Sequence, residues 1–194
     1  MAMWNDGKSR NATHETLRKV LERDSNFLPN VLVIGSDGAR RKWVARMFHA
    51  ASFQNKGAFT VLRCKNGSQG PKSEFLNLFF ALTRDGECPC SRTSTLLWGR
   101  TLFIDEVEQM DSQGQRLCLE FLKQLQRFKN ERPGEVGLRV IAGVSKDLSD
   151  SVTQGSFLPG LLDLLDKVRI ELDPAGKKKI ETTFPKRACA GVEA

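Results

Sequence analysis

Val31-Leu-Val-Ile34 is a short run without a polar residue, and it ends directly on Gly35-Ser-Asp-Gly38. A strand that is apolar throughout must be covered on both faces, which is the usual setting of a parallel sheet. Four further segments read as strands: Phe59–Arg63, Thr101–Ile104, Leu138–Ala142 and Lys167–Leu172. Between them, apolar residues recur at helical spacing. Trp43, Val44, Met47 and Phe48 predict one helix and Phe75–Leu82 a second. A third carries Leu117, Cys118, Phe121, Leu122, Leu125 and Phe128 on one stripe, with Ser112 and Gln115 as a capping box at its start. Strands alternating with helices predict an α/β fold in three layers, with a five-stranded parallel sheet, right-handed crossovers and helices on both faces.

The 194 residues, 40% of them hydrophobic, suffice for one domain with a sizeable core. We divide the chain into an N-terminal segment, 1–28, with a short amphipathic helix capped by Thr13; the α/β core, 29–173; and a basic, loosely held tail, 174–194. No apolar run approaches the roughly 18 residues that span a bilayer, and Met1–Arg10 has no leader-like apolar stretch, so the expected location is the cytoplasm, away from membranes. Five cysteines, Cys64, Cys88, Cys90, Cys118 and Cys189, are odd in number and scattered, which predicts reduced thiols. Cys88-Pro-Cys90 lacks a second pair or a nearby histidine, since His14 and His49 lie elsewhere, and no metal site is expected. The net charge of +7 suggests an acidic partner such as nucleic acid or an acidic protein patch. The basic residues are nevertheless dispersed, apart from Arg40–Lys42, Lys177–Lys179 and Lys186-Arg187, so any such contact would be non-specific.

In a parallel sheet covered on both faces, ligands sit beyond the C-terminal ends of the strands, where Gly35–Lys42 and Asp105-Glu106 both fall. An apolar strand, a glycine turn opening a helix, and a second strand ending in paired acids outline a P-loop ATPase. A working P-loop needs small residues and then Gly-Lys-Ser/Thr, so that backbone N–H groups close on phosphate and the hydroxyl holds Mg²⁺. Here Gly35 and Gly38 stand in place. Arg40 fills the slot of the next glycine, Arg41 follows, and Lys42 is succeeded by Trp43. Asp105 has two readings at this level: a magnesium-binding carboxylate, or the partner of Arg40 or Arg41 in a site closed by its own charges.

Five ordered segments, Val31–Gly38, Val44–His49, Gly99–Val107, Leu138–Leu148 and Gly155–Leu165, resemble the AAA+ domain of bacterial activators that drive sigma-54 RNA polymerase. The likeness runs from about Asn30 to Leu172. It implies a P-loop NTPase core in which Asp105 and Glu106 match the magnesium and water-activating carboxylates, and Arg41 falls on the phosphate-contacting lysine. It also places Ser145 on the sensor asparagine, and Leu158 and Leu164 on the two arginine fingers. The family's sigma-contacting Gly-Ala-Phe-Thr-Gly-Ala loop belongs between about Phe79 and Leu96, which contains no such motif; Gly57-Ala-Phe-Thr60 lies in a turn into the second strand. Residues 173–194 are too few for both the family's helical lid and a helix-turn-helix DNA reader.

These departures predict a degenerate member: a pseudo-ATPase without catalytic residues, not expected to use ATP or Mg²⁺, and acting through protein contacts. Candidate partners are an active AAA+ activator or another regulator. Leu158, Leu161 and Leu164, with Phe157, Leu162 and Leu165, form an apolar face that is either a partner surface or core. A divergent ATP-binding switch, favoured by the intact Asp105-Glu106, and a basic nucleic-acid-binding protein are the alternatives.

Overall fold

The computed structural model describes residues 29–51, 57–64, 72–78, 99–131, 137–172 and 182–183. The helix expected after Thr13, Cys88-Pro-Cys90, Cys189, the region expected to hold a sigma-contacting loop and the lysine run at 177–179 lie outside them. The strands are β1 (Val31–Ile34), β2 (Phe59–Arg63), β3 (Thr101–Asp105), β4 (Arg139–Val144), β5 (Val168–Glu171) and β6 (Thr182–Thr183). They form one sheet in the order β2-β3-β4-β1-β5-β6. The first five are parallel, as their composition requires; β6 pairs antiparallel with β5. A part of the segment expected as a loose tail therefore contributes to the sheet.

The helices are α1 (Gly38–Ala50), α2 (72–78), α3 (Ser112–Glu131), α4 (Ser149–Thr153) and α5 (Pro159–Leu165), with a short 3₁₀ turn at Val107–Gln109. Side chains alternate across a strand, and the buried residues divide accordingly into two cores. Leu32, Ile34, Leu102, Ile104, Val140, Ala142 and Val144 join Phe121, Leu122 and Leu125 of α3 and Leu161 and Leu165 of α5. On the other face, Val31, Val33, Phe103 and Ile141 meet Val44, Ala45 and Phe48 of α1. These are the three layers: helix, sheet, helix.

Two local expectations change. Trp43 is 47% exposed, and the inward stripe of α1 is Arg41, Val44, Ala45 and Phe48, which recur at i, i+3, i+4 and i+7. The position of the first turn, fixed by its cap, rotates the tryptophan outward and carries an arginine in. At α3 the cap is Asp111, not Ser112: Asp111 Oδ1 accepts from the Gly114 N–H at 2.8 Å. Gln115 is buried and spans to the next element, donating to Met110 O and Ser156 O at 3.0 Å each and accepting from the Leu158 N–H at 2.9 Å. A capping box would have used that side chain locally; here it ties α3 to the start of α5.

This packing decides the apolar face. Leu161 is fully buried in the larger core, while Leu158 and Leu164 are half-buried and pack against that core. Leu161 is thus not part of a surface. The large hydrophobic residues left exposed among the described residues are Trp43 and Leu76.

Candidate functional site

The C-terminal ends of β1, β3 and β4 lie side by side, and the loops leaving them bring together Gly35, Arg41, Asp105, Glu106 and Ser145. Gly35 is fixed there by close approach: its N–H donates to Val144 O at 2.9 Å, and a Cβ on it would stand 2.8 Å from the Leu172 Cβ. Asp37 caps α1, with Oδ1 accepting from Ala39 N–H at 2.8 Å and, more weakly, from Arg40 N–H at 3.4 Å. These are the amides that a helix N-terminus otherwise offers to phosphate. They are held by the chain's own carboxylate.

Arg41, one turn further on, is 2% exposed. Its Nε donates to Asp105 Oδ1 at 2.8 Å, and its Nη1 donates to Gly35 O at 2.5 Å. Asp105 is equally buried and is opposite Gly143 in the β3–β4 register. A Cβ at Gly143 would lie 2.7 Å from Asp105 Oδ1, so glycine there leaves room for the carboxylate. A guanidinium and a carboxylate removed from water hold each other strongly, because either alone would be a buried unpaired charge. Of the two arginines considered for this pairing, Arg41 makes it. Arg40 is half-buried in the first turn of α1, and Lys42 is half-buried beside it. A Cβ at Gly38 would come 3.2 Å from Arg41 Nη2, so the side chain occupies the space under the glycine turn.

Glu106 has left-handed backbone geometry, φ 58° and ψ 45°, the one such non-glycine residue among those described. That conformation is uncommon for a side chain of its kind and turns the chain sharply out of β3 into Val107–Gln109. The turn places Glu108 beside the loop after β4, where its Oε1 accepts from the Ser145 N–H at 2.8 Å. The result is a cavity of about 340 Å³ lined by Ser36, Arg41, Cys64, Glu106, Glu108, Gln109 and Ser145. Asp37 was legible as a cap, since aspartate directly before a helix start is a standard signal. Nothing in the local sequence marks Glu108.

Burial first, and then the charges of Asp105, Glu108 and Glu106, push the Cys64 thiol up to about 12. Cys118, wholly buried, is raised by burial and by Cys64. Only the thiolate reacts, and at pH 8 very little of the Cys64 thiol is ionised. Both cysteines should therefore resist iodoacetamide in the folded protein and react once it is denatured, which peptide mass spectrometry would register; labelling of Cys64 within minutes under native conditions would contradict this. Among the described residues, no group of three His, Cys, Asp or Glu side chains could hold a metal ion.

The strand order, the glycine turn opening α1 and the acidic end of β3 define a P-loop NTPase-type core. The profile of the sigma-54 interaction domain matches residues 7–174, and the chain belongs to that family. It is 25% identical over 172 residues to the nitrogen assimilation regulatory protein NtrX of Azorhizobium caulinodans, covering 88% of this chain and 37% of that one. It is 29% identical over 167 residues to the alginate biosynthesis transcriptional regulatory protein AlgB of Pseudomonas aeruginosa, covering 84% and 36%. The chain thus spans just over a third of the length of each of these two relatives. Among solved structures, NtrX from Brucella abortus in complex with ADP aligns at TM-score 0.56 and 22% identity over 82% of this chain and 36% of that one, a likeness of fold. No described helix is long and apolar enough to cross a membrane.

Proposed function

We propose that this chain is a non-catalytic regulatory module of the sigma-54 activator type, in which the AAA+ core serves protein contact and not ATP turnover. The observation that carries this reading is the buried Arg41–Asp105 pair. Asp105 is engaged through Oδ1 by Arg41, which sets a cation where Mg²⁺ would have to approach, and a guanidinium spread between Asp105 and Gly35 O is not the point charge that lysine presents to a phosphate. Asp37 holds the helix amides, and Ser145, Leu158 and Leu164 stand where the family resemblance implies an asparagine and two arginines. An arginine supplied across a subunit boundary contributes about 10³ to 10⁵ in rate, which leucine cannot replace. The partner is a protein of the cytoplasm, either an active AAA+ activator or another regulator.

No Mg²⁺-dependent ATP hydrolysis above background is expected. A steady phosphate release that disappears in Glu106→Gln would overturn the non-catalytic reading. The position of Glu106 in the cavity wall favours a second reading, a divergent nucleotide-binding switch. It would replace the first if millimolar ATP with Mg²⁺ raised the melting temperature, because a ligand that binds only the folded state must stabilise it. Partner contact is tested by affinity purification from the host and identification of what co-purifies.

A further inference from the structure

We propose that the cavity at the ends of β1, β3 and β4 receives a cationic side chain, the guanidinium or ammonium group of an arginine or lysine presented by a partner protein. This rests on the protein-contact reading and names the chemistry of the contact. Among the described residues, the one cation lining the cavity is Arg41, which is already paired with Asp105. That leaves Glu106 and Glu108 as the uncompensated charges in the wall, with Gln109 and the Ser36 hydroxyl as neutral polar neighbours. A position that is electropositive in a phosphate site is therefore acidic here.

A further observation points to a donor as the missing partner. Glu108 gives one oxygen to the Ser145 N–H, but its Oε2 is buried with no hydrogen-bond partner, the one such side-chain atom among the described residues. Buried carboxylate oxygens are normally satisfied, and the terminal torsion of glutamate is soft enough for a small rotation to turn this one toward an incoming N–H. In keeping with this, the Cys64 thiol in the same wall is raised first by burial and then by the neighbouring carboxylates of Asp105, Glu108 and Glu106.

Other occupants fit less well. An anion would meet two carboxylates, with the α1 amides already taken by Asp37. For a divalent cation, the described residues place no three His, Cys, Asp or Glu side chains together as ligands, although Cys64 lines the same wall. A volume of about 340 Å³ lies at the small end of ligand sites, the scale of a side-chain head with its methylene stem. Guanidinium adds planar, multiple N–H donors that match two carboxylates.

The test is a titration followed by amide NMR, with N-acetyl-arginine methylamide as the side-chain probe and agmatine as a free small cation. Saturable shifts of the Gly35, Ser145 and Gln109 signals are expected with the arginine probe, and their absence would overturn the proposal. Glu106→Gln with Glu108→Gln keeps the shape of the wall and the Ser145 contact while removing both charges, and should weaken the probe by about tenfold or more; unchanged affinity in a folded double variant would also overturn it. Agmatine binding much more tightly than the arginine probe would assign the site to a small molecule instead. If a partner co-purifies equally with wild type and with the double variant, the cation site is wrong while the protein-contact reading stands. If the probe binds as expected but no partner is captured by the wild type, the protein-contact reading fails, and with it the partner as the source of the cation.

Discussion

Asp105→Ala is expected to destabilise the domain by about 3 to 5 kcal/mol, because it leaves the Arg41 guanidinium buried opposite nothing. Both side chains are 2% exposed, so loss of the carboxylate leaves the guanidinium without a close counter-charge. For a chain of this length the change corresponds to a fall in melting temperature of roughly 6 to 20 °C. Arg41→Ala should cost a similar amount for the reciprocal reason, with the additional loss of the donor to Gly35 O. The diagnostic control is the double replacement Arg41→Met with Asp105→Leu, which removes both charges and fills the space with apolar atoms. It should recover most of the loss, since a buried ion pair exchanged for well-packed hydrophobic residues is often neutral or better. A melting temperature unchanged by Asp105→Ala would mean that the pair does not persist in solution.

Leu161→Ala should cost about 2 to 5 kcal/mol, and Leu161→Asp should leave little folded protein, because the side chain sits fully buried where α5 packs on α3 and the sheet. Leu158→Asp and Leu164→Asp fall on half-buried positions and should cost less, leaving a folded protein in which partner contact can be measured. Denaturant unfolding of the variants at the three positions separates them. Equal, small losses at all three would mean that the leucines form a surface after all; a loss concentrated at Leu161 identifies it as core. The distinction matters for any search for the partner, since a charge at Leu161 would abolish binding simply by unfolding the domain.

The two-sided burial of β1 was legible from Val31–Ile34, because a strand with no polar residue has no face to offer water. The strands β2 to β5, the stripe of α3 and the convergence of the glycine turn with Asp105-Glu106 follow from the same local periodicities and from the rule that parallel strands expose their C-terminal ends to one side. The departures from a working phosphate cradle were likewise visible residue by residue, since Arg40, Arg41 and Ser145 occupy named positions in ordered segments. These features depend on neighbours within a few residues, and local sequence carries them.

Tertiary structure decided what those residues do to one another. Arg41 and Asp105 are 64 residues apart, and their contact depends on the inward rotation of α1 and on Gly143 standing opposite Asp105 in the next strand. Glu108 reaches Ser145 only because Glu106 takes a left-handed backbone turn. Gln115, which local spacing assigns to its own helix cap, instead joins α3 to α5, and Leu161 becomes core while Trp43 faces water. Periodicity states which residues share a face of one element; it does not state which element covers that face or how two elements are registered. The acidic cavity is therefore a property of the assembled sheet: the sequence supplied its charges, and only the packing of four distant segments determined which of them would neutralise each other and which would be left facing the same space.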